Sequence, residues 1–133
     1  MAIHIEVSIG EFLDKLAILE IKDQRIQDAT KLANVRRELQ ALRAAWTASP
    51  HAATDIRADY ASLKAINERL WEIEDRIRAK EAAGRFDGEF VELARSVYRS
   101  NDERAAVKRR INLRFGSALI EEKSYGEASR PAG

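Results

Sequence analysis

Asp55–Ala83 reads DIRADYASLKAINERLWEIEDRIRAKEAA. Ile56, Tyr60, Leu63, Ile66, Leu70, Ile73 and Ile77 recur along it at spacings of three and four. That is the stripe of an amphipathic helix. No Pro or Gly interrupts the run, and Gly84 follows it as a natural C′ residue. A helix of this length spans roughly 43 Å. It predicts the long central helix of an all-α bundle.

Working outward, the flanking segments read as further helices. Ser8-Ile9-Gly10-Glu11 is a capping box, which starts a first helix running from Ile9 to Gln27. Leu32, Val35, Leu39, Leu42 and Trp46 place a second helix over 31–46, with a seam narrow enough for one neighbour. Pro50 follows it. Beyond Gly84, Asp87 caps a fourth helix, with Phe86 and Val91 as its hydrophobic staple. Ser100-Asn101-Asp102-Glu103 is a second capping-box pattern and predicts a break, with a fifth helix running on to Phe115. Ile3, Ile5 and Val7 alternate with His4 and Glu6, which predicts a short N-terminal β-strand. Residues 118–120 could answer it. A single domain over 1–125 and a disordered tail over 126–133 complete the expected architecture.

Composition bounds the chemistry. The 133 residues suffice for one core and not for two. Lys+Arg is 23 and Asp+Glu is 22, so the chain carries no electrostatic signature of a dedicated nucleic-acid binder. There is no cysteine, hence no disulfide, thiolate metal site or thiol nucleophile within it. His4 and His51 lack metal-ligand spacing, and no glycine-rich loop follows a strand. No metal and no cofactor are expected. No apolar run reaches the length of a membrane span, and the N-terminus lacks a signal-peptide pattern, so a cytoplasmic address is expected.

Helical-wheel placement finds polar groups breaking three apolar faces. Glu20 and Asp23 share the first helix's face with Ile9, Phe12, Leu13, Leu16 and Leu19. Asn67, Trp71, Glu74 and Arg78 flank the stripe of the central helix. Arg104 and Lys108 fall within the face set by Val107, Ile111 and Phe115, with Asn101 and Asn112 at its edge. Their signs are complementary, and buried charges are normally paired, so one polar network joining three helices is expected. The network can be structural, or it can be a site. As a site, Arg78, Arg104 and Lys108 would hold an anion, with Asn67, Trp71, Asn101 and Asn112 beside it. Glu20 or Glu74 would then be the acid/base candidate. Two Glu-x-x-Asp pairs, Glu20/Asp23 and Glu72/Asp75, evoke a magnesium cluster, but Glu72 and Asp75 point away from the core stripe.

Three segments carry a family resemblance: SIGEFLDKLAILEIK from Ser8, NERLWEIEDRIRAKE from Asn67 and LARSVYRSNDERAAVKRRIN from Leu93. Together they resemble a family of small uncharacterised bacterial proteins, a domain of unknown function. Asp14, Lys15, Lys22, Asp75 and Asp102 match its pattern, as do Glu20, Asn67, Trp71, Glu74, Arg78, Asn101, Arg104, Lys108 and Asn112. The resemblance implies no activity. It implies a setting near glycosyltransferases of surface-polysaccharide assembly. Two functions stay open: a non-catalytic helical binding or assembly module, homodimeric or with a partner in such a system, and a small enzyme or binding protein for an anionic metabolite such as a sugar nucleotide or phosphate ester.

Overall fold

The computed structural model describes residues 1–124; the expected tail over 126–133 lies outside them. The described residues form four α-helices: α1 (Ile9–Arg25), α2 (Ala29–Ala48), α3 (Arg57–Ala82) and α4 (Gly88–Arg114). The all-α class holds, but the expectation of five helices and an N-terminal strand is corrected in three places.

The break at 100–103 does not occur, and α4 runs through it. The polar side chains that resemble a capping box have tertiary partners instead. Ser100 is buried, and its Oγ accepts from Arg69 Nε at 3.2 Å; Glu103 pairs with Arg69 as well. With those groups satisfied from outside, the backbone has no reason to leave the helix.

The strand is absent too. Residues 1–7 join no ladder among the described residues, and Ile3 and Ile5 are 91% and 77% exposed. Residues 118–120 do not answer them, because Ser117 turns that segment back onto α1 and α4: Ile9 N–H donates to Ser117 Oγ, and Ser117 N–H to Asn112 O. Alternation alone carries no strand when nothing supplies its hydrogen bonds.

Finally, the long helix is not the centre. α1 touches all three other helices, whereas α2 packs chiefly on α1. Leu13, Ala17, Ile21 and Leu19 of α1 are almost wholly buried. The core splits accordingly. Leu13 and Ala17 pack with Leu63, Ile66 and Leu70 of α3 and Val107 and Ile111 of α4, while Leu16 and Leu19 pack with Val35 and Leu39 of α2. α3 and α4, at 26 and 27 residues, form the long antiparallel pair across which α1 lies.

The helix ends follow local chemistry. Ser8, Asp28 and Asp87 each accept a backbone N–H three residues on, at 3.0, 2.9 and 3.0 Å. Gly84 and Gly116 both take φ +66°; paired backbone bonds close a Schellman motif at Gly84, and Ser117 N–H bonds back to Asn112 O after Gly116. Phe86 meets Phe90 edge to face at 5.2 Å, so the staple forms one position earlier than Val91, which stays exposed. Gly10 lets α1 approach α4 closely: a Cβ there would lie 2.6 Å from Lys108 O.

Candidate functional site

Where the last turns of α1 diverge from α4, a cleft of about 480 Å³ opens over the middle of α3. Ile18, Ile21, Leu70 and Trp71 supply its apolar wall, and Lys22, Arg78 and Arg104 supply its positive charge. Glu74 and Asp75 stand on the same rim. A volume of this order accommodates a metabolite-sized ligand.

Arg104 is the best-organised cation in the cleft. Its Nη1 donates to Asn67 Oδ1 at 2.8 Å and its Nη2 to Asn101 Oδ1 at 2.9 Å. Both acceptors are neutral amides, and among the described residues Arg104 makes no ion pair with a carboxylate. Behind it, Asn67 Nδ2 donates to Asp14 Oδ1 at 2.7 Å and to Leu63 O at 3.0 Å. Asp14 is 4% exposed, and its other oxygen lies 3.9 Å from Lys108 Nζ. The expected network across three helices therefore exists, but it runs Lys108–Asp14–Asn67–Arg104–Asn101.

The other cations differ in how far they are neutralised. Arg78 is bridged to Glu74 one turn away and is mostly exposed. Lys22 makes no ion pair among the described residues. Arg25 lies over the Trp71 ring, 5.9 Å from its centre, and also pairs with Glu72, so it holds the indole at the edge of the cleft.

Of the sequence candidates, Asn67, Trp71, Glu74, Arg78, Asn101 and Arg104 share this cleft. The others lie elsewhere. Glu20 sits between Arg43 at 3.3 Å and Lys64 at 3.5 Å; burial, with the Glu20 carboxylate beside it, pushes the Tyr60 phenol well above its usual range. Asp23 is bonded to Arg36. Lys108 lies behind the cleft against Glu11, Glu121 and Asp14. Burial opposes its charged form, but these carboxylates outweigh burial and its ammonium titrates above the usual lysine range. Asn112 is structural: buried, its Oδ1 accepts from Gly10 N–H at 2.7 Å and ties the start of α1 to α4. The two Glu-x-x-Asp pairs do not converge, and no group of three His, Asp or Glu able to hold a metal ion exists among the described residues.

Sequence reasoning did not single out Asp14 and Lys22 as site residues. A signal for Asp14 was present: it is an acid in α1 whose neighbours Leu13 and Ala17 fill the core. A helix that contacts neighbours on several sides buries such a position wherever the stripe is drawn.

No helix among the described residues is long and apolar enough to cross a membrane. Residues 3–132 match the family of unknown function DUF6165, and the chain belongs to that family. No curated protein and no solved structure matches it.

Proposed function

We propose that this DUF6165 member is a binding protein for a small anionic metabolite, held in the α1–α3–α4 cleft on Arg104. One observation carries the reading: a guanidinium aimed by two amide oxygens, with no carboxylate to neutralise it, in a cleft with an apolar wall. A planar fork of free N–H donors suits a phosphate or carboxylate. Lys22 and Arg78 add charge at the mouth, and Trp71 with Leu70 and Ile18 offers an apolar surface to the body of the ligand. Glu74 and Asp75 are placed to accept hydroxyl hydrogens, which favours a sugar phosphate or sugar nucleotide over a bare anion. Should the bound ligand be turned over, Glu74 is the acid/base candidate inside the cleft, since Glu20 lies outside it. The family resemblance supports a bacterial setting beside surface-polysaccharide glycosyltransfer, and a cytoplasmic address is part of the same proposal.

The second reading is an assembly module, as a homodimer or with a partner protein. Phe86, Val91 and Tyr98, exposed at the α3–α4 end remote from α2, support it.

A thermal-shift panel of pyrophosphate, phosphosugars, nucleoside diphosphates and sugar nucleotides separates the two. A ligand that binds only the folded state raises the midpoint by mass action. The cleft reading expects one class to do so, and expects Arg104→Ala to stay folded and lose the response. A panel that leaves the wild type unmoved, with dimers seen in sedimentation, favours assembly.

A further inference from the structure

We infer that buried Asp14 is a positioning residue for Arg104, acting through Asn67. The inference rests on the anion-binding reading of the cleft and assigns a role to a residue that does not line it.

Donors and acceptors set the orientation of the Asn67 amide. Asn67 Nδ2 faces Asp14 Oδ1 and Leu63 O, which only accept; Asn67 Oδ1 faces Arg104, which only donates. A flipped amide would set oxygen against carboxylate and NH₂ against guanidinium. Asp14 and the Leu63 carbonyl together fix which end of the amide Arg104 meets, and Asp14 makes the shorter, charge-assisted bond of the two. Asn101 fixes the other Nη atom, and the two amides together hold the guanidinium plane.

Charge completes the device. A carboxylate in direct contact would orient Arg104 equally well, but it would neutralise the group that has to attract the ligand. Here the amide stands between them, and Lys108 lies on the far side of Asp14 at 3.9 Å. Lys108 is shared there with Glu11 and Glu121, so it offsets the carboxylate only in part, but no carboxylate touches the guanidinium, which keeps its own charge for the cleft. Asn67 passes on orientation and withholds neutralisation.

This gives an experiment whose outcome has a sign. Coulomb attraction alone says that Asp14→Asn, which removes a negative charge near the site, tightens anion binding. Positioning says that it weakens binding, because Asn67 then loses its charge-assisted acceptor and only the neutral Leu63 carbonyl still holds the amide in place behind Arg104. Calorimetric titration with inorganic pyrophosphate reads the sign, and a loss of about three- to tenfold is expected from one misplaced charge-assisted bond. The double exchange Asp14→Asn with Asn67→Asp keeps the cluster's charge but moves the carboxylate onto Arg104. It is expected to lose at least about tenfold by the same arithmetic. Pyrophosphate binding that is unchanged or tighter in Asp14→Asn overturns the inference while leaving the cleft reading intact.

The ¹⁵N Nε resonance of Arg104 in the ligand-free protein provides an independent arm. It should be sharp in the wild type and broadened in Asp14→Asn. If the wild type binds no pyrophosphate yet this resonance responds as expected, the positioning role stands and the pyrophosphate-type ligand falls. A resonance indifferent to Asp14 overturns the inference, whatever binds. Should the double exchange fail to fold, Asp14→Asn alone decides.

Discussion

Two buried aspartates hold the helices of this protein together, and they do it in opposite ways. Asp59, 3% exposed, meets its cations directly: Arg110 at 3.2 Å and Arg114 at 2.9 Å, both 56% exposed. Asp14, 4% exposed, meets Arg104 only through the Asn67 amide. The Asp59 cluster is a clamp between the start of α3 and the end of α4. Its carboxylate is paired directly with both cations, and its arginines reach water. The Asp14 cluster spans α1, α3 and α4 and leaves a guanidinium unmatched in a cleft. The difference shows that a buried carboxylate can spend its charge on stability or place a second group without cancelling it.

The contrast can be broken most severely at its middle. Asn67→Leu strips the shared partner from Asp14 and Arg104 at once. Leaving the buried carboxylate without its hydrogen-bond donor, with Lys108 still 3.9 Å away, should cost about 3 kcal/mol, read as a lower urea midpoint. A loss under about 1 kcal/mol would mean that water replaces the amide and that the cluster is less buried than Asp59.

Gly10→Ala should come next. Its Cβ would lie 2.6 Å from Lys108 O, a backbone atom that cannot swing aside, so α1 must shift off α4. Overpacking of this kind costs about 1–3 kcal/mol. The shift also moves Asp14 against Lys108, so pyrophosphate affinity should fall together with the thermal midpoint, whereas Asp59 variants should leave affinity untouched.

Asp59→Ala should cost less than Asn67→Leu, about 1–2 kcal/mol, because the released arginines are largely in water already. Parallel chemical denaturation of the two variants tests that ranking, and a reversal would make the Asp59 clamp the more tightly buried cluster.

The smallest effect concerns the chain behind Asp14, where Glu121 bonds Lys108 Nζ at 3.0 Å. The Lys108 ammonium holds Glu121 below its usual 4.5. That attachment is therefore complete above pH 4.5 and lost as pH falls through the depressed value. Lys108 is raised above 10.5, so its contribution is complete below 10.5 and lost as pH rises through the raised value. The side-chain carboxyl resonance of Glu121 should report both limits, while Arg104 keeps its order at the acid limit. Loss of Arg104 order together with Glu121 would tie the cleft to the C-terminal segment and remove the distinction between them.

Much of this was legible in the chain. The caps at Ser8 and Asp87, the left-handed glycines at 84 and 116 and the stripes of α2 and α3 are local properties, written in spacings of three and four. Six candidates placed by the wheel do converge on the cleft, because a residue flanking an apolar stripe has to lie at the mouth of whatever the stripe packs against. Glu20, Lys108 and Asn112 did not join them. A wheel gives direction around one axis and nothing about which neighbour stands there: Glu20 found Arg43 and Lys64, and Lys108 found Glu11.

By itself the sequence determined that this chain is helical, where most of its helices begin and end, and which faces carry charge. Those follow from backbone hydrogen bonding and from periodicity, which act within a few residues. Only the tertiary structure decided that α4 is unbroken, that residues 1–7 find no ladder, that α1 is the hub and that Asp14 stands behind Arg104. Each of those turns on what a distant segment presents. Ser100 and Glu103 could have made a capping box, and they stay inside a helix because Arg69 of α3 satisfies them first.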